Sequence, residues 1–200
     1  MRRNFYYVAS DLYLEAPVRP WLSAVATGRI ENVPALPQPL QTGGEATLGM
    51  KVSRRLSART VGALQAVAAW RDDADPACAG VASEFRGLYG VGLGKTFFNF
   101  EAGARVKSGG CTRGRYEATV GYKPGTRWLL LGQAFMDDDL TGGADVKAQA
   151  SFVRYSKKGV GLQLGGRFGL GEGGEKALLI GVWTGGRRKA APAEPEPPPS

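Results

Sequence analysis

The 200-residue sequence contains no histidine. This absence excludes Ser-His-Asp triads, Cys-His nucleophile pairs, histidine-ligated metals and imidazole acid–base catalysis. The two cysteines are too few for a structural zinc site, which needs four ligands. We therefore expect the protein not to be an enzyme, and we expect no catalytic residue, no metal site and no cofactor.

The sequence also lacks a long apolar run. No apolar stretch reaches 18 residues, so no transmembrane helix is predicted. The apolar content of 43% is nevertheless too high for a disordered chain. Glycine, at 30 of 200 residues, has about twice its usual share. The composition thus indicates a folded, glycine-rich chain.

Alternation of apolar and polar residues is the dominant pattern. In 96–107, Phe98 and Phe100 share one face, whereas Asn99 and Glu101 share the other. Many of the alternating segments are about twice as long as the usual strand of roughly 5 or 6 residues and match the roughly 9 to 11 of a membrane-spanning strand. The pattern predicts an all-β, antiparallel up-and-down transmembrane β-barrel of 10–12 strands. The alternating segments are 83–94, 96–107, 114–123, 145–155 and 159–170, with weaker candidates at 5–15, 21–33, 45–56, 60–71, 126–136 and 176–183.

One of these segments has an alternative interpretation. The alanine-rich stretch 61–70 also fits a helix. Every other well-alternating segment lacks the three-and-four spacing of a helical stripe.

The predicted connections alternate between short and long. Alternate connections of a meander lie at the same end of the sheet, so one end carries tight turns and the other carries longer loops. Bacterial barrels have this arrangement, with the short turns in the periplasm. The short connections are 16–20, 56–59, Gly94–Lys95, 123–126 and 156–158, and the long ones are 34–44, 72–82, 108–113, 137–144 and 171–175.

The number of candidate strands raises a question about the start of the chain. Eleven candidates are visible, but single-chain bacterial barrels have an even number. Either ten strands form, with 5–15 outside the barrel, or twelve form, with the first upstream of Met1. Arg2 and Arg3 are not followed by the apolar core of a signal peptide. We expect a barrel domain at 1–183; in the twelve-strand version, a first strand and a signal peptide would precede Met1.

The last residues differ in composition from the rest. Residues 184–200 are first basic and then rich in proline. Such a segment cannot bury a core, so we expect a disordered tail.

The two cysteines flank one predicted hairpin. Cys78 precedes strand 83–94 and Cys111 follows strand 96–107. Both therefore lie at the open end of the hairpin, where a disulfide is sterically reasonable and requires an oxidising compartment. The alternative is two unrelated free thiols.

Charged residues occupy the polar faces of the predicted strands. Because charged groups are costly in lipid, these side chains are expected to face the lumen. One interpretation is a water-filled channel that favours anions. The other is a closed lumen filled by salt bridges between Glu101 or Glu117 and neighbouring arginines. The basic candidates are Arg86, Arg105, Arg115, Lys147 and Arg167, and their acidic counter-charges are Glu84, Glu101 and Glu117.

Two other ligand classes are disfavoured. A P-loop would need glycine where Tyr89 stands, and a strand rather than a helix follows Lys95. The net charge of +8 suggests nucleic acid, but the basic residues are spread over several strands without a recognisable binding module. We expect no nucleic-acid partner.

Aromatic residues near the ends of the predicted strands complete the pattern. With them, 5–183 resembles the small outer-membrane β-barrels of Gram-negative bacteria. The resemblance implies a location in the bacterial outer membrane, with membrane lipid and small anionic solutes as partners. It also implies a non-enzymatic role as a narrow pore or an envelope structural component. These aromatic residues are Trp21, Trp70, Tyr122, Trp128, Tyr155 and Trp183.

A second class of protein also accounts for the alternation. In a soluble or periplasmic β-sandwich or calycin-like binding protein, the apolar face would be buried. The basic face would then lie in water and bind an anionic ligand.

Overall fold

The computed structural model describes residues 6–33, 41–72, 78–108, 110–138, 143–157, 159–170 and 176–183. Within these ranges the regular structure consists of eleven β-strands, and no helix there is long and apolar enough to cross a membrane. The strands are β1 (Tyr6–Arg19), β2 (Leu22–Val33), β3 (Gln41–Arg55), β4 (Thr60–Arg71), β5 (Gly80–Leu93), β6 (Thr96–Val106), β7 (Thr112–Gly125), β8 (Trp128–Asp138), β9 (Ala144–Tyr155), β10 (Gly161–Gly169) and β11 (Lys176–Trp183).

The strands form one up-and-down sheet that closes on itself. Each strand pairs antiparallel with the next one in the chain, from β1 to β11. The first and last strands then pair in parallel, from Tyr6 with Lys176 to Asp11 with Gly181. This parallel seam follows from the odd strand number, because strictly alternating directions leave the first and last strands pointing the same way.

The first strand corrects the ten-strand expectation. Residues 5–15 were to lie outside the barrel in that version, but β1 pairs with β2 from Val8 to Arg19. Parallel pairing of β1 with β11 closes the described ring with eleven strands. The twelve-strand version and the predicted tail at 184–200 concern residues outside the described ranges.

The alanine-rich segment is a strand, not a helix. β4 pairs with β3 from Val61 to Arg71 and with β5 along its full length. Its side chains alternate strictly, with Leu64 and Trp70 exposed and Val67 buried. The burial of every second side chain in a sheet thus outweighs the preference of alanine for helices.

The predicted alternation of short and long connections is present with one exception, since 156–160 has five residues, as many as 107–111 and 139–143. We call the end of the barrel with the tight turns the turn end and the opposite end the loop end. The tightest turns have two residues each and are Pro20–Trp21, Gly94–Lys95 and Thr126–Arg127. The positive φ of Gly94, 63°, suits its place in a two-residue hairpin turn. The turn-end connections are 20–21, 56–59, 94–95, 126–127 and 156–160, and the loop-end connections are 34–40, 72–79, 107–111, 139–143 and 170–175.

The two faces of the sheet differ in chemistry. Large apolar side chains point outward, and Leu48, Leu64 and Val81 are each about 70% exposed, at 67%, 71% and 67%. The inner face carries most of the buried polar side chains, among them Glu84 and Arg105. The outer face of this barrel therefore carries mainly apolar side chains, whereas much of the inner face carries polar and charged ones.

Glycines on the inner face allow the sheet to curl tightly. A Cβ atom on Gly49 would lie 2.1 Å from the Ala66 carbonyl oxygen, and one on Gly165 would lie 2.4 Å from Ser151 Cβ. Real Cβ atoms do not approach so closely, so these positions require glycine for close backbone approach.

A pair of glycine substitutions tests this role. We expect Gly165→Ala to lower the free energy of unfolding by about 1–3 kcal/mol, because the new methyl group overlaps the neighbouring strand. Outward-facing Gly87 is the matched control, since a Cβ there meets only the Ala102 carbonyl oxygen, at 3.9 Å. Denaturant unfolding in detergent micelles, followed by tryptophan fluorescence, measures both. Equal losses in the two variants would contradict the close-approach explanation.

Candidate functional site: the charged lumen

Charged side chains meet inside the barrel near the loop end. Alternation places Glu84 and Arg86 of β5 on the inner face, and pairing sets Glu84 opposite Arg105 of β6. β7 adds Arg115, which pairs with Gly103 of β6. The strand register thus brings three arginines close to one carboxylate.

Glu84 is the centre of this arrangement. Its side chain is fully buried, at 0% exposure. Arg86 Nε donates to Glu84 Oε1, and Arg105 donates to Glu84 Oε2 from Nε at 2.8 Å. Arg105 Nη2 lies 2.6 Å from Oε2, and Arg115 Nη1 lies 3.8 Å from Oε1. A buried carboxylate is tolerated here because guanidinium groups surround it.

Glu45 of β3 is a second carboxylate in the same network. Arg105 donates to it from Nη2 at 2.7 Å and from Nη1 at 3.2 Å, and Arg115 Nη1 donates at 2.9 Å. Arg115 Nε also lies 3.5 Å from Asp137 Oδ1 of β8. These contacts link four strands across the lumen.

Glu45 was missed as a site residue. It lies 60 and 70 residues from the two arginines that it binds, and it reaches them across the lumen instead of along the sheet. The one available signal was the alternation of β3, which places the Glu45 side chain on the inner face of the sheet. There it pairs with Arg71 of β4.

A ladder of polar side chains runs along the neighbouring strands, from β10 to β7. Arg167 Nε donates to Gln149 at 2.8 Å, Gln149 donates to Gln133 at 2.7 Å, and Gln133 donates to Glu117 at 3.0 Å. The Thr119 hydroxyl also donates to Glu117, at 3.0 Å. The ladder fixes amide orientations across β7 to β10, because each glutamine both donates and accepts.

The remaining predicted charges lie close by. Glu101 and Glu117 are direct neighbours across β6 and β7, and Arg86 Nη1 lies 3.7 Å from Glu101 Oε2. Lys147 Nζ lies 3.0 Å from Asp145 Oδ2. The expected bridge from Glu101 to an arginine is thus present, while Glu117 accepts from uncharged groups.

The lumen leaves little free space at this level. A cavity of about 40 Å³ lies among these side chains and accommodates only a few water molecules. Arg105 lies beside it, bound to Glu84 and Glu45. The predicted residues that line the cavity are Arg86, Arg115, Lys147, Arg167, Glu101 and Glu117.

A cluster of apolar side chains lies inside the barrel near the turn end. Leu129, Leu131 and Val153 form its buried centre, against which Phe97 and Tyr155 pack.

Polar groups share this half of the lumen. Trp183 donates to Gln163 at 2.7 Å, and Lys51 forms an ion pair with Glu15. The lumen of the described barrel is therefore occupied by ion pairs near the loop end and by apolar and polar groups together near the turn end.

The predicted disulfide is confirmed. Cys78 and Cys111 are bonded, with their Cα atoms 5.2 Å apart. The bond joins the β4–β5 connection to the β6–β7 connection at the loop end.

The chemistry available in this lumen is electrostatic. Guanidinium and carboxylate groups hold each other in place, and no nucleophile paired with a base lies among the described charged cluster. Comparison of the chain with protein-family models, with curated proteins and with solved structures gives no match. The distribution of charge and apolar surface is thus the main guide to function.

The central carboxylate should dominate the stability of the lumen. We expect Glu84→Gln to lower the free energy of unfolding by about 3–5 kcal/mol, because the buried Arg105 and the partly buried Arg86 and Arg115 lose their shared partner. Glu101→Gln is the matched control and should change it by less than about 1 kcal/mol, because it also removes repulsion from Glu117 across the strand pair. Chemical unfolding in micelles measures both. A loss in Glu101→Gln as large as that in Glu84→Gln would refute the central role of Glu84.

Proposed function

We propose that this protein is a non-enzymatic β-barrel of the bacterial outer membrane that acts as an envelope structural component with a closed lumen. The observation that carries the proposal is the distribution of side chains, with apolar groups outside and ion-paired groups inside.

The outer face supports contact with lipid. Leu64, Phe85, Phe100 and Ile180 are about half exposed or more, and they belong to strands all around the barrel. Water-soluble monomers rarely expose contiguous apolar surface beyond a few hundred Å². The same face disfavours the soluble anion-binding alternative, in which the apolar side would be buried and the basic side would face water.

Aromatic side chains near both ends support a membrane position as well. Trp21, Tyr122 and Trp128 lie at the turn end, and Trp70 lies near the loop end, each 40–50% exposed. The guanidinium of Arg154 lies 5.4 Å from the ring centre of Trp128. Aromatic and basic groups of this kind anchor barrels at the two membrane interfaces. By the usual orientation, the tight turns would face the periplasm.

The packing of the lumen favours the structural role over a pore. An anion pore needs a continuous water path lined by unbalanced positive charge. Here Glu84 and Glu45 balance Arg105 and Arg115 near the loop end. Near the turn end, the cluster around Leu129 and the Lys51–Glu15 ion pair occupy the lumen. Conduction would require these contacts to separate.

Cell fractionation tests the membrane location. We expect the protein in the outer-membrane fraction, resistant to alkaline extraction, with an unboiled gel band that moves differently from the boiled one. The physical reason is that a closed barrel stays folded in detergent until heated. A protein that is soluble without detergent and shows no shift would overturn the proposal in favour of the soluble binding protein.

Planar-bilayer recording tests whether the lumen is closed. We expect no stable conductance steps from the purified protein, because ion pairs and apolar side chains occupy the lumen. Steady anion-selective steps whose selectivity falls in an Arg115→Gln, Lys147→Gln and Arg167→Gln triple variant would replace the structural role with that of a narrow pore.

A further inference from the structure

The outer face carries a long apolar groove over β3 to β9. The volume of the groove is about 870 Å³. Its floor consists of outward positions with little or no side chain, namely Gly87, Ala102, Ala118 and Ala134. A Cβ on Gly87 would meet only one atom within 4 Å, so the space above it is open.

The strand register shows the course of the groove. The row on one side runs from Arg54 of β3 through Tyr89 and Phe100 to Ala134 of β8, each paired with its neighbour on the next strand. The parallel row ends at Val146 of β9, opposite Met136. Six steps between strands at about 4.8 Å each give a length of roughly 29 Å.

The groove runs obliquely from one end of the barrel to the other. Arg54 lies next to the 56–59 turn, at the turn end, whereas Val146 lies two residues into β9, at the loop end. Strands of closed barrels tilt by about 35–45° against the axis, so a row perpendicular to them climbs across the wall. The groove is therefore long enough, and climbs far enough along the barrel axis, to hold an extended alkyl chain that enters from one membrane interface.

Among the described residues that line the groove, a positive charge lies only at the turn end. Arg54 lines the groove and is exposed at the turn end. Arg55 and Arg59 flank the same turn. A guanidinium binds the phosphate of a lipid headgroup in bidentate fashion. The groove thus combines an apolar channel with an anion-binding group at its turn-end entrance.

We propose that this groove binds one acyl chain of an anionic glycerophospholipid, with the headgroup phosphate at Arg54. The inference rests on the proposed membrane location, which puts the turn end at the periplasmic leaflet, where glycerophospholipid is the available lipid. The volume falls within the roughly 300–1,000 Å³ of ligand sites. Tyr89 and Phe100 border the groove in one row on β5 and β6, and Tyr116 borders it in the parallel row on β7.

Native mass spectrometry of the detergent-purified full chain tests the proposal. The sample contains equal amounts of phosphatidylglycerol and phosphatidylcholine, and its folded state is first shown by the heat-dependent gel shift. We expect one phosphatidylglycerol to remain bound to the wild type. Ala118→Trp, which fills the groove, should weaken retention about tenfold, and Arg54→Gln should remove the preference for phosphatidylglycerol.

Ala68→Trp is the matched control. Ala68 is exposed on the outer face of β4, outside the groove lining, so this variant should bind like the wild type. Gly87→Leu repeats the blockage with a smaller side chain, should Ala118→Trp fail to fold.

The outcomes separate the two proposals. Equal lipid retention in heat-shifting Ala118→Trp and Ala68→Trp would overturn the groove while leaving the membrane barrel intact. A dimer signal that Ala118→Trp abolishes, without retained lipid, would also overturn it, because a second copy would then occupy the groove. Absence of the heat shift in the wild type would instead refute the membrane location.

Discussion

The burial of the Glu84 carboxylate among three guanidiniums is the constraint on which the interior depends. A fully buried carboxylate without partners is strongly unfavourable, and so are buried arginines without an anion. The positions of Arg86, Arg105 and Arg115 therefore depend on one another through a single group. Glu45 extends this dependence to the far side of the lumen. Strands that are distant in the sequence are joined by charge as well as by the backbone.

This interior accounts for the contrast between the two ends of the lumen. Near the loop end, ion pairs and the glutamine ladder hold the wall in a fixed geometry. Near the turn end, the packing of Leu129 and Val153 is combined with polar contacts such as the hydrogen bond from Trp183 to Gln163. When inward side chains fill the lumen, they hold the strands of the barrel wall in place. A wall held in this way keeps the outer surface in one shape. The outer groove therefore depends on the ion pairs behind it.

Much of this fold could be predicted from the sequence, because period two is a local property. Alternation identified the eleven strands, the inward charges and the hairpin that brings Cys78 and Cys111 together. Contacts that depend on the register of several strands could not be predicted. Glu45 meets its arginines only after the ring closes, and the small residues of the groove line up only when three connections fix the pairing of β5 to β8. The role of residues 5–15 was open for the same reason, since their partner β11 is the last strand of the chain.

The parallel seam between β1 and β11 has a kinetic consequence. Its six paired positions join residues about 170 apart, from Tyr6 with Lys176 to Asp11 with Gly181, whereas the hairpin pairings join near neighbours. Contacts of such sequence separation form late, because the intervening chain must be ordered before its two ends can meet. The ring therefore closes last along this seam, and the seam sets the rate at which a finished barrel appears.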